Sequence, residues 1–167
     1  MSPNGRTKLT GPSMRIATRA DVPAMARCRL TDPAAGPADL RMASYLDGHH
    51  HPEQALAQRS GYLAAADQQV VGYIAGHLTT RHDCTGEIQY LFVDPAFRRR
   101  GLATELVCLM AVWFLEQGAR RVCVCLDADS PSARPFYEST GADQLSASRR
   151  FWYVWEDIGM VLRPPSG

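Results

Sequence analysis

With 167 residues and a net charge of +1 at neutral pH, the chain suits one domain with a sizeable core and lacks the broad positive field of a nucleic-acid binder. Its apolar fraction of 46% and charged fraction of 21% are ordinary for a globular protein, and no run reaches the ~20 apolar residues that span a bilayer. The five cysteines (Cys28, Cys84, Cys108, Cys123, Cys125) are odd in number, and the opening MSPNGRTKLTGPS has no apolar stretch. Reduced thiols in a cytoplasmic setting are therefore expected.

Residues 1–13 are polar, with Pro, Gly and Ser, and are expected to form a disordered leader; residues 164–167 form a short flexible tail, and 14–163 form the domain. MRIAT reads as a short strand. ADVPAMARCRL follows as a helix, with Asp21 as N-cap and Val22, Met25, Ala26 and Leu30 on one face. PADLRMASYLDG is a weaker helix ending at Gly48, and the polar HHHPEQALAQR has no clear period. From Gly61 the pattern turns strand-like: GYLAAAD and VVGYIAGHLTT flank a hairpin turn at Asp67–Gln69, and EIQYLFV is a third strand. Leu102, Leu106, Leu109, Met110 and Trp113 then recur at helical spacing until Gly118. RVCVCLDA is a continuous apolar run of the kind buried on both faces. This strand–helix–strand order predicts one parallel pair. SPSARPFYESTG is a short helix stopped by Gly141, and FWYVWEDIGMVL is a terminal strand interrupted at Gly159. There is no internal repeat.

The stretch VDPAFRRRGLATELV places three arginines against a glycine at the start of a predicted helix. The first N–H groups of a helix lack intrahelical partners, and the helix dipole adds positive character there. The missing side chain at Gly101 and the small one at Ala103 let an anion approach the backbone, with Arg98, Arg99 and Arg100 around it. A phosphate or pyrophosphate fits. The Walker pattern G-x-x-x-x-G-K-[ST] and the dinucleotide fingerprint G-x-G-x-x-G are both absent from the sequence.

Arg98, Gly101 and Ala103 stand at the fixed positions of an [RQ]-x-x-G-x-[GA] pattern, with Val93 and Pro95 as a V-x-P lead-in. Downstream, ARPFYESTGA supplies Ala133, Phe136, Tyr137 and Gly141 in an A-x-x-F-Y-x-x-x-G spacing. Together with the MRIATRADVPAM opening, these segments resemble the GNAT N-acetyltransferases over residues 14–163. The resemblance implies a mixed α/β fold: a twisted sheet of about six to seven strands with one parallel crossover pair, flanked by about four helices. It implies acetyl-coenzyme A as acyl donor, with no metal, and a small-molecule or peptide amine as acceptor. Neither nucleic acid nor membrane is expected as partner, and homodimers are frequent among relatives.

The resemblance also assigns sites. Backbone N–H groups from Arg99 to Thr104, including Arg100, Gly101, Leu102 and Ala103, would hold the coenzyme pyrophosphate. The pantetheine arm would lie along Leu91, Phe92 and Val93, where a bulge near Leu91 would part that strand from its parallel neighbour. Ser130, Ala133, Phe136 and Tyr137 would complete the coenzyme site, although the family often has Asn where Ser130 stands and Phe where Ala142 stands. Altered contacts to the coenzyme arm are expected there. Tyr137 resembles the general acid that protonates the departing thiolate, and a phenol with reference pKa ~10 can do so at neutral pH. Glu87 occupies the position of a glutamate base in histone-acetylating relatives, and strict alternation would put it on one face with Gln89 and Leu91. A backbone N–H near Val93 would bind the oxyanion.

His49–His50–His51, in one loop, lack the spacing of a structural zinc site and read as solvated or as an acceptor entrance. Cys123 and Cys125 alternate onto one face of a buried strand and read as packing; Trp152, Tyr153 and Trp155 read as core or dimer contacts, with an acceptor wall as the lesser alternative. A non-catalytic coenzyme A-binding regulatory module is the competing expectation.

Overall fold

The computed structural model describes residues 11–33, 42–126 and 133–164. Among them seven strands form one sheet: β1 (Ser13–Ile16), β2 (Ala55–Ala66), β3 (Gln69–Thr79), β4 (Gly86–Val93), β5 (Val122–Cys125), β6 (Asp143–Gln144) and β7 (Trp152–Trp155), ordered β1-β2-β3-β4-β5-β7-β6. Four α-helices accompany it: α1 (Val22–Arg29), α2 (Met42–Leu46), α3 (Leu102–Glu116) and α4 (Arg134–Ser139). Strands β4 and β5 are parallel and every other pair is antiparallel. The mixed sheet with one parallel crossover is the predicted fold. No helix among the described residues is long and apolar enough to cross a membrane.

The β2–β3 hairpin turns on Asp67 and Gln68, both left-handed (φ 48° and 65°), a tight turn made without glycine. Helix α3 bridges β4 and β5 and buries Leu102, Leu106, Val107, Met110, Ala111 and Phe114 against one face of the sheet. Each of these side chains other than Ala111 contributes about 1.5–3 kcal/mol as an upper bound. Close approach depends on Gly86, where an added Cβ would stand 2.6 Å from the Phe114 ring. The opposite face carries α1 and α2, which bury Met25, Cys28, Met42 and Tyr45 over Tyr73, Tyr90 and Phe92.

Several expectations shift. Helix α1 ends at Arg29, so Leu30 escapes the apolar face and is 67% exposed. In α3 the buried stripe runs through Val107 and Phe114, while Leu109 and Trp113 are half-buried. The terminal strand stops at Trp155, because the Asp157 carboxylate accepts from the Gly159 N–H (2.9 Å) and starts a 3₁₀ turn over Ile158–Leu162. Ser13, placed in the leader, already belongs to β1; residues 1–10 and 165–167 lie outside the described residues.

Candidate active-site cleft

Strand β4 has two halves. Gly86, Glu87 and Ile88 pair with Val122, Cys123 and Val124 of β5, and there the parallel ladder ends. On the β3 side, Tyr90 pairs with Ala75 but Ile88 pairs with Gly76, so Gln89 is an extra, bulged residue. The bulge sits at Gln89, two residues before the expected Leu91. Beyond it, Leu91–Val93 have no partner on β5, and a cavity of about 850 Å³ opens between the strands.

The bulge reverses alternation. Glu87, Tyr90 and Phe92 now share the α1/α2 face, while Ile88, Leu91 and Val93 face α3. The expected grouping of Glu87, Gln89 and Leu91 on one face is thereby corrected. Glu87 is 4% exposed, does not line the cavity, and is engaged elsewhere. Its Oε2 accepts from Arg81 Nε (3.2 Å) and lies 3.3 Å from Nε2 of the fully buried His77, its cross-strand partner. His77 Nδ1 in turn meets the Tyr45 hydroxyl at 2.9 Å. The carboxylate nominated as base is therefore part of a buried polar column that ties α2 to the sheet.

At the other end the turn into α3 is built for backbone contact. Gly101 caps the helix with φ 80°, and an added Cβ would meet nothing within 4 Å, so the space before the helix is open. Arg99 also adopts a left-handed φ of 61°, a cost of order 1–3 kcal/mol that clusters at functional sites. The first helical N–H to find a chain partner is that of Glu105, on the Gly101 carbonyl (3.0 Å). The N–H groups of Leu102, Ala103 and Thr104 are left without intrahelical partners at the cavity wall.

The three arginines divide their work. Arg98 Nε donates to the Val93 carbonyl (2.9 Å), its Nη2 holds Asp32 (2.5 Å), and its guanidinium lies over Phe92 (5.6 Å). It thus braces the turn as well as lining the cavity. Arg99 lines the cavity, whereas Arg100 sits over Phe97 (5.2 Å) outside it. Residues 101–104 of the helix start share this wall with Arg98 and Arg99.

Ala133, Phe136 and Tyr137 reach the same cavity from the start of α4. Tyr137 is 5% exposed, edge-on to Phe136 (5.2 Å) and Trp155 (5.7 Å), and burial raises its hydroxyl pKa above the usual phenol range. It stays protonated at neutral pH. Ser130 lies outside the described residues. Leu91, Phe92 and Val93 line the cavity as expected.

Sequence reasoning missed Arg29, Asp32, Met42, Tyr90 and Cys125, which also line it. Asp32 and Arg29 follow from where α1 ends, and only tertiary packing brings them here. Cys125 is exposed at the cavity while Cys123 is fully buried, so the two thiols do not share a setting. Cys123 instead hydrogen-bonds Cys84. That contact, with the Arg121 guanidinium 3.7 Å from Cys84 Sγ, lowers the Cys84 pKa and raises that of Cys123. His51 Nδ1 meets Arg59 Nη2 (2.8 Å), so that loop is tethered to β2. No group of metal-binding side chains occurs among the described residues.

A family model for the Acetyltransferase (GNAT) family matches residues 31–142. The chain belongs to the GNAT acetyltransferase family. Solved structures agree in fold. An acetyltransferase from Thermus thermophilus superposes with a TM-score of 0.68 at 18% identity, over 88% of this chain and 97% of that one. The GNAT family N-acetyltransferase YhbS from Escherichia coli, in complex with CoA, gives 0.66 at 19% identity over 90% and 84%. The PaiA N-acetyltransferase from Thermoplasma acidophilum, in complex with coenzyme A, gives 0.64 at 13% identity over 87% and 97%. Curated proteins contain no match to the sequence.

Proposed function

We propose that this GNAT protein transfers an acetyl group from acetyl-coenzyme A directly to a primary amine. The observation that carries the reading is one shared cavity wall: the α3 N-terminus, the edge of β4 that β5 leaves open and Tyr137 line one cleft. Coenzyme A fits this wall. Its pyrophosphate matches the glycine-opened turn from Arg99 to Thr104, where a Cβ at residue 101 would point into empty space. Its pantetheine amides match the backbone groups of Leu91–Val93 that β5 leaves unpaired. Two structural neighbours with this fold hold coenzyme A, which adds weight to that donor.

In this reading the chain's residues orient and exclude. The Leu91–Val93 edge holds the thioester arm extended, and a backbone N–H near Val93 stabilises the oxyanion. Tyr137, kept protonated by burial, gives its proton to the departing thiolate. Glu87 takes no direct part, since it lies off the cavity in an ion pair. Asp32, the one carboxylate among the described cavity residues, is held by Arg98. The amine therefore delivers its proton to water, and turnover should climb with pH toward the amine pKa, near ~10.4 for a lysine-like acceptor.

Titration calorimetry with acetyl-coenzyme A, followed by thiol release on an amine panel, tests the reading. Binding with turnover of at least one amine is expected. Binding without turnover on any amine would favour a coenzyme A-binding regulatory module, and absence of binding would remove both.

A further inference from the structure

We infer that Gln89 is the residue that receives the acceptor amine, its side-chain carbonyl oxygen taking an N–H hydrogen bond from the incoming nitrogen; this rests on the acetyltransferase reading above. Gln89 lines the cavity at the point where β4 and β5 part: the last parallel pair is Ile88 with Val124, and Gln89 is the extra residue of the bulge. Its Oε1 is buried and has no hydrogen-bond partner among the described residues. Leaving a buried acceptor unsatisfied costs about 1–3 kcal/mol, so a protein rarely tolerates one without a use. The terminal torsion of a glutamine is soft, and the amide can swing its oxygen into the cavity at little cost.

Chemistry selects the ligand. If the pantetheine arm runs along Leu91–Val93 from the α3 turn, Gln89 lies two residues past Leu91 and away from the phosphates, roughly 7 Å further along the strand. That place belongs to the acetyl group and to the nitrogen that attacks it. An acetyl group presents a carbonyl oxygen and a methyl, neither able to donate to Oε1. An amine presents N–H bonds. Holding one of them directs the remaining lone pair, once the nitrogen is neutral, toward the thioester carbon, a gain in orientation without new charge. Glu87, two residues earlier, is withdrawn to the other face by the same bulge, so the polar contact at this wall is left to an uncharged amide.

The test uses the full chain loaded with acetyl-coenzyme A and three probe amines: tyramine, spermidine and an alanyl tripeptide. In the wild-type protein, the Gln89 side-chain amide resonances should shift on adding at least one probe. With that probe, Gln89→Leu should raise KM about tenfold, the loss of one such hydrogen bond, while acetyl-coenzyme A Kd stays within twofold. Gln89→Met serves as a second variant, with circular dichroism confirming that each folds. Resonances unmoved by all three amines, or an unchanged KM, would overturn the assignment. A rise in coenzyme Kd would also overturn it, transferring the contact to a pantetheine amide. Failure of the wild type to bind acetyl-coenzyme A would instead sink the reading underneath.

Discussion

The two halves of β4 differ by a single register step, and most of the chemistry follows from that step. Gly86–Ile88 is paired on both sides, and its charge, Glu87, is consumed by Arg81 and His77. Leu91–Val93 is paired on β3 alone and offers its other edge to a cavity. One half is a buried clamp, and the other is an open edge that the proposed function uses for binding. A carboxylate three or four residues from a reactive edge can thus be structural, because a bulge decides which face it joins.

The largest expected effect lies at the far end of the open half. Gly101→Glu puts bulk and negative charge into the space before α3 and forces a side chain onto φ 80°. Coenzyme binding should vanish in titration calorimetry while the fold persists. Retained affinity would show that the open half is not a phosphate-ended groove.

Next comes the clamped half. Glu87→Gln leaves the Arg81 guanidinium without its buried counter-charge, and breaking such a pair by removing one partner costs about 3–5 kcal/mol. A urea denaturation series should therefore place the variant about 3 kcal/mol below the wild type, with Gln retaining part of the hydrogen bonding. If instead stability holds and the pH profile of kcat loses an ionisation, Glu87 works as a base and the comparison fails.

A smaller effect concerns Tyr137, the proposed acid. Tyr137→Phe should lower kcat by roughly 100-fold, about 2.7 kcal/mol, with coenzyme Kd unchanged. Since burial raises the Tyr137 pKa, no alkaline loss of activity should trace to its deprotonation up to the ordinary phenol range near ~10. An unchanged kcat, measured where chemistry limits turnover, would return Tyr137 to the core.

How legible this was varies with the range of the interactions. The α3 turn could be read directly, because Gly101, the helix start and the arginines are local in sequence and helix ends obey local rules. The hairpin at Asp67–Gln68 was likewise local. The bulge at Gln89 carries no local mark: EIQYLFV holds no glycine or proline, and the misfit arises only when β3 and β4 are laid side by side. That hidden insertion reverses the face of every residue on one side of it, so strict alternation alone would aim Glu87 at the cleft. Asp32 and Arg29 were unreadable for a related reason, since Asp32, 66 residues upstream, meets Arg98 only through the packing of α1 on the sheet. Arg98 stands in sequence as a ligand for an anion, yet much of its bonding capacity goes to Val93 and Asp32.

The smallest effect measures an ion pair away from β4 altogether. Arg15 on β1 grips Asp21 through two hydrogen bonds of 2.8 and 2.7 Å, and that contact lowers the Asp21 pKa to about 2. A carboxylate with a depressed folded pKa contributes stability above its unfolded pKa of ~3.9, and the contribution fades as pH falls through the folded value. Because the Arg15 side chain is 55% exposed, screening reduces the gain, and Asp21→Asn should cost about 1 kcal/mol at pH 7. The deficit should shrink between about pH 4 and pH 2, where the wild-type carboxylate takes up its proton and the two proteins converge. Denaturation midpoints collected across that window would check the sign. A deficit near that of Glu87→Gln would mean that exposure does not discount the pair, and burial could no longer explain why the closed half of β4 outweighs a surface bridge.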